Sequence, residues 1–407
     1  MAKPADKSTA LWVLRRLRNA GHQALFAGGC VRDMLLGLRS YDYDVATDAT
    51  PRQVRGLFRH VLLVGAKFGV AMVVHRGRRV EVTTFRSDAS YSDGRRPDAV
   101  TFSTPREDAQ RRDFTINGMF YDPQADEVID YVGGRADLEA RILRTIGPAE
   151  DRFAEDYLRM LRAVRFAVRF DLAVAPATAE AVRAHAANIT SISGERVFDE
   201  LTKMLSAPSA AEALRLMEAL GLGRFVLGEL FETPGVWRRA VDRVEALAGR
   251  KDATLALAGL LLEMPGRTIS RRIRAWGAGN ELRDGVRWIA ENASGWRRAA
   301  DEPLREFKRM LAHPESDRLR AIWRVEEQRQ TGRISLSRRI AARAESIAGE
   351  DVAPQPLVSG ADLIALGVRP GPALGRMLRA LYDEQLDEAL RTRREALARA
   401  RELAEVE

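Results

Sequence analysis

The chain has 407 residues, 46% of them apolar, and 65 Lys and Arg against 57 Asp and Glu give a formal net charge of +8. That length exceeds one ordinary domain and supplies two to four with ample core, while a basic balance carried mostly by arginine suits a phosphate-rich partner, though a GC-rich genome also enriches arginine. No apolar run approaches the ~20 residues of a membrane span, no secretory signal core opens the chain, and the single cysteine, Cys30, excludes an internal disulfide and a cysteine-cluster zinc site, so a cytoplasmic protein without membrane contact is expected.

In chain order, Leu11, Leu14 and Leu17 at helical spacing predict a helix over residues 8–19 that stops before Gly21; a mitochondrial presequence is the competing reading of this arginine-rich stretch. A strand over 23–27, a helix over 31–36, a strand over 41–46 and a helix over 50–58 opened by Thr50-Pro51 follow. Residues 61–85 read as two or three strands with a Gly-containing turn at 76–79. Beyond about Leu138 strand signals almost vanish, and 3.6-residue periodicity runs through 153–170, 177–187, 197–205, 210–219 and on to the end. Breaks fall at Gly133-Gly134, at 206–208 and within 349–360, and from Leu374 alternating charges form a solvated helix face. The expected fold class is α+β, a mixed β-sheet with helices packed against it followed by an all-helical remainder. Nothing in the pattern specifies an oligomeric state.

The chemistry-bearing segment opens at GGCVRD. Gly28 and Gly29 can take positive φ and bring backbone N–H groups close to phosphate, and Arg32 adds a planar donor fork. Asp42 and Asp44 lie in Tyr-Asp-Tyr-Asp-Val; on a strand, residues two apart share a face roughly 6–7 Å apart and can hold a metal pair for phosphoryl transfer. Glu81 is either a third carboxylate on a neighbouring strand or a simple exposed glutamate.

Two further groups follow. In RRDFTINGM, Arg112 is suited to a triphosphate, Asp113 to a ribose hydroxyl and Asn117 to a sugar or backbone group. In EDYLRMLRAVRF, Asp156, Arg159, Arg162 and Arg165 recur every third position along one helical stripe. A fixed carboxylate accepts from the exocyclic amine of cytosine or adenine and repels the carbonyl of uracil or guanine, so Asp156 and Arg159 can choose the base, with Arg162 and Arg165 serving phosphate or orienting the pair. A solvated Asp–Arg ion pair is the alternative.

Taken together, the ordered motifs GGCVRD with DYD, RRDFTINGM, IDYVGGRADL, EDYLRMLR and GERVFDELTKML resemble the class II branch of the nucleotidyltransferases, the CCA-adding enzymes and bacterial poly(A) polymerases. The resemblance implies a catalytic head over 1–138, a helical neck with base recognition over 139–206, a helical body over 207–348 and a tRNA-binding tail over 349–407. It implies Mg2+ on Asp42 and Asp44, nucleotide contacts from Gly29 and Arg32, phosphate contacts from Arg112, and base reading by Asp156 and Arg159 with Arg162 and Arg165 close by. The implied activity is template-independent addition of C, C and A to the tRNA 3′ acceptor end from CTP and ATP. The stretch VGAKFGVAMVV over 64–74 is similar to CCA-adding enzymes, TFRSDASYSDGRRPDAV over 84–100 resembles the loop of enzymes that add the terminal A, and residues 357–378 resemble their tail. An A-adding enzyme working after a CC-adding partner, a poly(A) polymerase and a catalytically dead RNA-binding protein remain as alternatives. Where some relatives carry a His-Asp phosphohydrolase pair this chain has Leu262-Glu263, and Gly118 stands where the family more often has alanine, with a small effect on helix stability expected.

Overall fold

The computed structural model describes residues 3, 4, 6–40, 42–63, 68–88, 100–347 and 349–404. The chain divides into two compact units, Met1–Glu232 and Thr233–Glu407. The first opens with a short strand β1 (Lys3–Pro4) and helix α1 (Lys7–Asn19), which Asp6 caps by accepting from Thr9 N at 2.9 Å. There follow β2 (Ala24–Ala27), α2 (Gly29–Leu35), β3 (Asp44–Thr47), α3 (Pro51–Leu57), β4 (Val61–Leu62), β5 (Val70–His75) and β6 (Arg78–Thr84). Next come the paired strands β7 (Arg86–Asp88) and β8 (Val100–Phe102), then α4 (Pro105–Gln110), a single 3-10 turn (Thr115–Asn117), β9 (Phe120–Asp122), β10 (Glu127–Ile129) and α5 (Gly134–Glu139).

The sheet is mixed, in the order β10-β9-β2-β3-β6-β5-β4, with β1 added in parallel to β6. β2 and β3 are antiparallel, whereas β3 and β6 run parallel with Val45 opposite Val82. Alternation along β5 and β6 buries Ala71, Val73, Val80 and Val82 in the core that holds Val13, Leu14 and Leu17 of α1. Each of these valines and leucines contributes about 1.5–3 kcal/mol by leaving water, which fixes the register.

The helical part differs from the sequence expectation in two places. The predicted helix over 153–170 is two helices, α6 (Ala149–Glu155) and α7 (Leu158–Arg169), broken at Asp156, which is extended at φ −159° and ψ 101°. The Asp156 carboxylate accepts from Leu158 N at 3.1 Å, so the side chain competes with the helix for a backbone donor. Two short strands also lie beyond Leu138, β11 (Ile142–Leu143) and β12 (Ala173–Val174), paired in parallel. Helices α8 (Pro176–His185), α9 (Gly194–Leu205) and α10 (Ala210–Ala219) then follow the predicted periodicity closely.

The described residues of the second unit contain helices and no strand. Its helices Val236–Leu247, Ala253–Leu261 and Ser316–Thr331 surround Arg243, 1% exposed, which donates to Glu326 at 2.7 Å, Gly259 O at 2.9 Å and Glu263 at 2.7 Å. Glu263, itself exposed, also pairs with Arg239 and closes the outer end of this ion network. A separate core of Val358, Leu363, Met377, Leu381 and Ala400 closes the C-terminal part. No described helix is long and apolar enough to cross a membrane.

Gly118 follows the 3-10 turn with an ordinary φ of −93°, so helix propensity is not what decides it. A Cβ there would lie 2.7 Å from Val132 Cγ2 and 2.9 Å from Ile146 Cδ1, which corrects the expectation of a helix-stability effect. Gly118→Ala should therefore cost about 1–3 kcal/mol by overpacking. Urea denaturation checks this, and an unchanged midpoint would show that the two neighbours yield freely.

Candidate active site

The glycine turn forms where β2 ends. Gly28 has φ 70° and ψ −127°, its N–H donates to Met119 O at 3.1 Å, and a Cβ there would lie 2.8 Å from Arg112 Nη1. Both the left-handed backbone and the close approach of Arg112 require glycine. Gly29 starts α2, which carries Arg32 inward rather than to the surface. The Arg32 guanidinium is 5% exposed; it donates to Asn117 Oδ1 at 2.6 Å and to Asp33 Oδ1 at 2.6 and 3.0 Å, and stacks 4.1 Å from the Phe170 ring.

The carboxylates sit on the adjacent strands. Asp44 begins β3, opposite Ala27 of β2, and the β3–β6 register sets it beside Glu81. The predicted strand over 41–46 is displaced: Tyr41 lies outside the described residues and the exposed Asp42 precedes the strand, so the two aspartates do not share one strand face. Burial, followed by the charges of Glu81 and Asp42, pushes Asp44 up to about 7. Burial and Asp42 likewise raise Glu81, which is partly buried and not a simple exposed glutamate. Mutually repelling carboxylates of this kind fit a hard divalent cation, whose charge removes the repulsion. Among the described residues no three side chains form a complete cage, so such an ion would need further oxygen ligands.

Across from them, α4 and the 3-10 turn deliver the RRDFTIN residues. Arg112 donates to Asp108 at 2.9 and 3.3 Å and to Asn117 O at 3.2 Å. Asp113 accepts from Phe114 N at 2.9 Å and Asn117 Nδ2 at 3.0 Å on one oxygen, and from Arg162 at 2.7 and 2.9 Å on the other. Four donors already occupy the carboxylate assigned by sequence to a ribose hydroxyl. Burial alone would raise its pKa, but Arg162 and Asn117 outweigh it and hold Asp113 down at about 2.

On the helical side, the predicted stripe is rearranged. Asp156 pairs with Arg196 of α9 at 2.7 Å, Arg159 with Glu155 and the Arg152 carbonyl, and Arg165 with Glu200 at 2.6 Å. Asp156 has left the helix, so no i,i+3 pair with Arg159 forms. Ten of the thirteen residues singled out by sequence line one cleft of about 460 Å³: Gly28, Gly29, Arg32, Asp44, Arg112, Asp113, Asn117, Asp156, Arg159 and Arg162. Asp42, Glu81 and Arg165 are outside its lining. Six arginines against three aspartates make the cleft a basic receptor for a polyanion.

Sequence reasoning did not assign Asp108, Asp33 or Arg196. Arg196 sits in GERVFDELTKML, already quoted as a motif, and Asp108 follows the capping box at Thr104 and Glu107. The 64–74 and 84–100 stretches fall partly outside the described residues, at 64–67 and 89–99.

The Asp113–Arg162 pair has a pH signature. A carboxyl at about 2 when folded and 3.8 otherwise adds stability that is complete above pH 4 and lost as pH falls toward 2. Asp113→Asn should lose about 2 kcal/mol at pH 7, with the gap to the parent closing below pH 4. Thermal unfolding between pH 2 and 7 checks this; a gap independent of pH would contradict an ionised pair.

Residues 24–144 match the family model described as the poly A polymerase head domain, and residues 171–233 the model described as a probable RNA and SrmB-binding site of polymerase A. The CCA-adding enzyme of Geobacillus thermodenitrificans is 41% identical over 276 residues, 68% of this chain and 67% of that protein. The CCA-adding enzyme of Lactobacillus delbrueckii subsp. bulgaricus is 33% identical over 379 residues, 91% of each. The crystal structure of the Bacillus stearothermophilus CCA-adding enzyme in complex with CTP matches with a TM-score of 0.81 over 98% of both chains, at 31% identity. A mixed-sheet head with this cleft, and similarity that spans nearly the whole chain, lead to one conclusion: the chain belongs to the CCA-adding enzyme family of nucleotidyltransferases.

Proposed function

We propose that this protein adds C, C and A in turn to the 3′ end of tRNA, using CTP and ATP without a nucleic-acid template and releasing pyrophosphate. The observation that carries the reading is the convergence of Asp44, the glycine turn, Arg112 and Asp156 in one basic cleft. The relatives that cover most of the chain are named CCA-adding enzymes, and the B. stearothermophilus structure is a complex with CTP. The same reading puts the protein in the cytoplasm with its RNA substrate.

In this mechanism the Gly28–Gly29 turn lets the triphosphate approach the backbone, while Arg32 and Arg112 bind and orient it. Asp42 and Asp44, with Glu81 beside them, would hold Mg2+, which when bound activates the attacking hydroxyl and neutralises the leaving pyrophosphate. The tRNA 3′-hydroxyl attacks the α-phosphorus in line; the new phosphodiester bond forms as the bond to the bridging β-phosphate oxygen breaks. Asp156 accepts from the exocyclic amine of cytosine or adenine, and Arg159 donates to the adjoining ring position. Uracil and guanine present a carbonyl there and are rejected. The basic helical body over 207–348 binds RNA by shape and phosphate, hence in a salt-sensitive way.

Asp44→Asn should lower addition of both C and A on the order of 10³-fold while tRNA binding persists. Asp156→Ala should admit U and G. Incubation of tRNA lacking its terminal CCA with CTP alone, then with ATP, tests the activity itself. Two C residues followed by one A is the expected product; A added only to tRNA already ending in CC would indicate an A-adding enzyme, and an unlimited A tail a poly(A) polymerase.

A further inference from the structure

Beneath the cleft lies a carboxylate that belongs to none of the assigned groups. Asp108 is completely inaccessible, yet its two oxygens serve two different guanidinium groups. Arg111 donates to Oδ1 at 2.9 and 2.7 Å, and Arg112 to Oδ2 at 3.3 and 2.9 Å; Arg86 N also approaches Oδ1 at 3.4 Å. Helix α4 sets this up. Thr104 and Glu107 close a capping box at its start, Pro105 occupies its first turn, and the chain leaves the helix through the C-cap Arg111 and then Arg112, whose N–H groups still donate to Glu107 O and Ala109 O and so keep both residues close to Asp108.

We propose that Asp108 is a positioning residue for the nucleotide triphosphate, holding Arg111 and Arg112 in place at the Gly28–Gly29 turn before any nucleotide arrives. The proposal rests on the reading of Arg112 as a phosphate-binding group. Both arginines line the cleft, and the third edge of Arg112 reaches Asn117 O at 3.2 Å, close enough to Gly28 that a Cβ there would meet it. An exposed i,i+4 pair contributes only a few tenths of a kcal/mol and leaves the arginine tip mobile. A buried carboxylate shared by two forks does more: it removes rotamer freedom that would otherwise be lost on nucleotide binding. One negative charge against two positive ones also leaves the site cationic. Burial works against the ionised form of Asp108, but the two arginines outweigh it and keep the group below the usual carboxylate range.

Asp108→Asn keeps the shape but turns amide donors toward one guanidinium. In the full chain, KM for CTP and for ATP should both rise about tenfold, with kcat and the preference for C and A over U and G unchanged. Inhibition by inorganic tripolyphosphate, which has neither base nor sugar, should weaken by the same factor. A folded Asp108→Asn protein with unaltered KM and unaltered tripolyphosphate inhibition overturns the proposal. A measurement on the unaltered protein covers the case in which that variant does not fold. Arginine Nε–H relaxation by NMR, without nucleotide, should find Arg111 and Arg112 as rigid as the backbone; surface-like mobility there equally overturns the proposal. Arg112→Gln separates the two levels: should it leave nucleotide KM unchanged, the reading of Arg112 itself fails.

Discussion

The cleft depends on one constraint: a charge taken out of water must meet an opposite charge with good hydrogen-bond geometry, or the fold does not tolerate it. Around this cleft the rule is met pair by pair. Asp113 joins the 3-10 turn to Arg162 of α7, Arg32 of α2 is held by Asp33 and Asn117, and Asp108 holds two arginines at the end of α4. Asp156 and Glu200 reach Arg196 and Arg165, tying α7 to α9. The Arg32–Asp33 and Asp108 pairs are local, but Asp113–Arg162, Arg32–Asn117, Asp156–Arg196 and Arg165–Glu200 join residues far apart in sequence, so electrostatic satisfaction also sets the spacing between the glycine turn and the helix proposed to read the base.

The carboxylates of β3 and β6 are the deliberate exception. Asp44 and Asp113 line the same cleft, and burial works in the same direction on both, yet one stands at about 7 and the other at about 2. Their neighbours make the difference. Asp113 faces Arg162 and Asn117, whereas Asp44 faces Glu81 and Asp42. Unrelieved repulsion is costly to a folded chain and useful to a site that receives a cation. In the second unit the buried Arg243 is met by Glu326 and Glu263, whose remaining charge is balanced by Arg329 and Arg239.

Much of this was legible in the residues. The double glycine, the arginine three positions on, the paired aspartates and the RRDFTIN segment each carry chemistry in their own side chains, and period-2 and period-3.6 burial marked the sheet and most helices. The partners were not legible. Spacing by three residues placed Asp156 over Arg159, but Asp156 caps Leu158 and leaves the helix, which frees it for Arg196 forty positions away. Asp113 looked like a free acceptor because nothing local showed that Arg162, forty-nine residues on, would fill it.

The amino-acid sequence by itself therefore determined most of the chemical groups that the protein brings to its cleft, and the family to which it belongs. Local pattern and side-chain chemistry are properties of neighbouring residues and can be read in order along the chain. Only the tertiary structure decided which charges neutralise one another and which stay exposed to a ligand. That choice is made by distance and burial between elements far apart in sequence, and spacing along the chain carries no record of either.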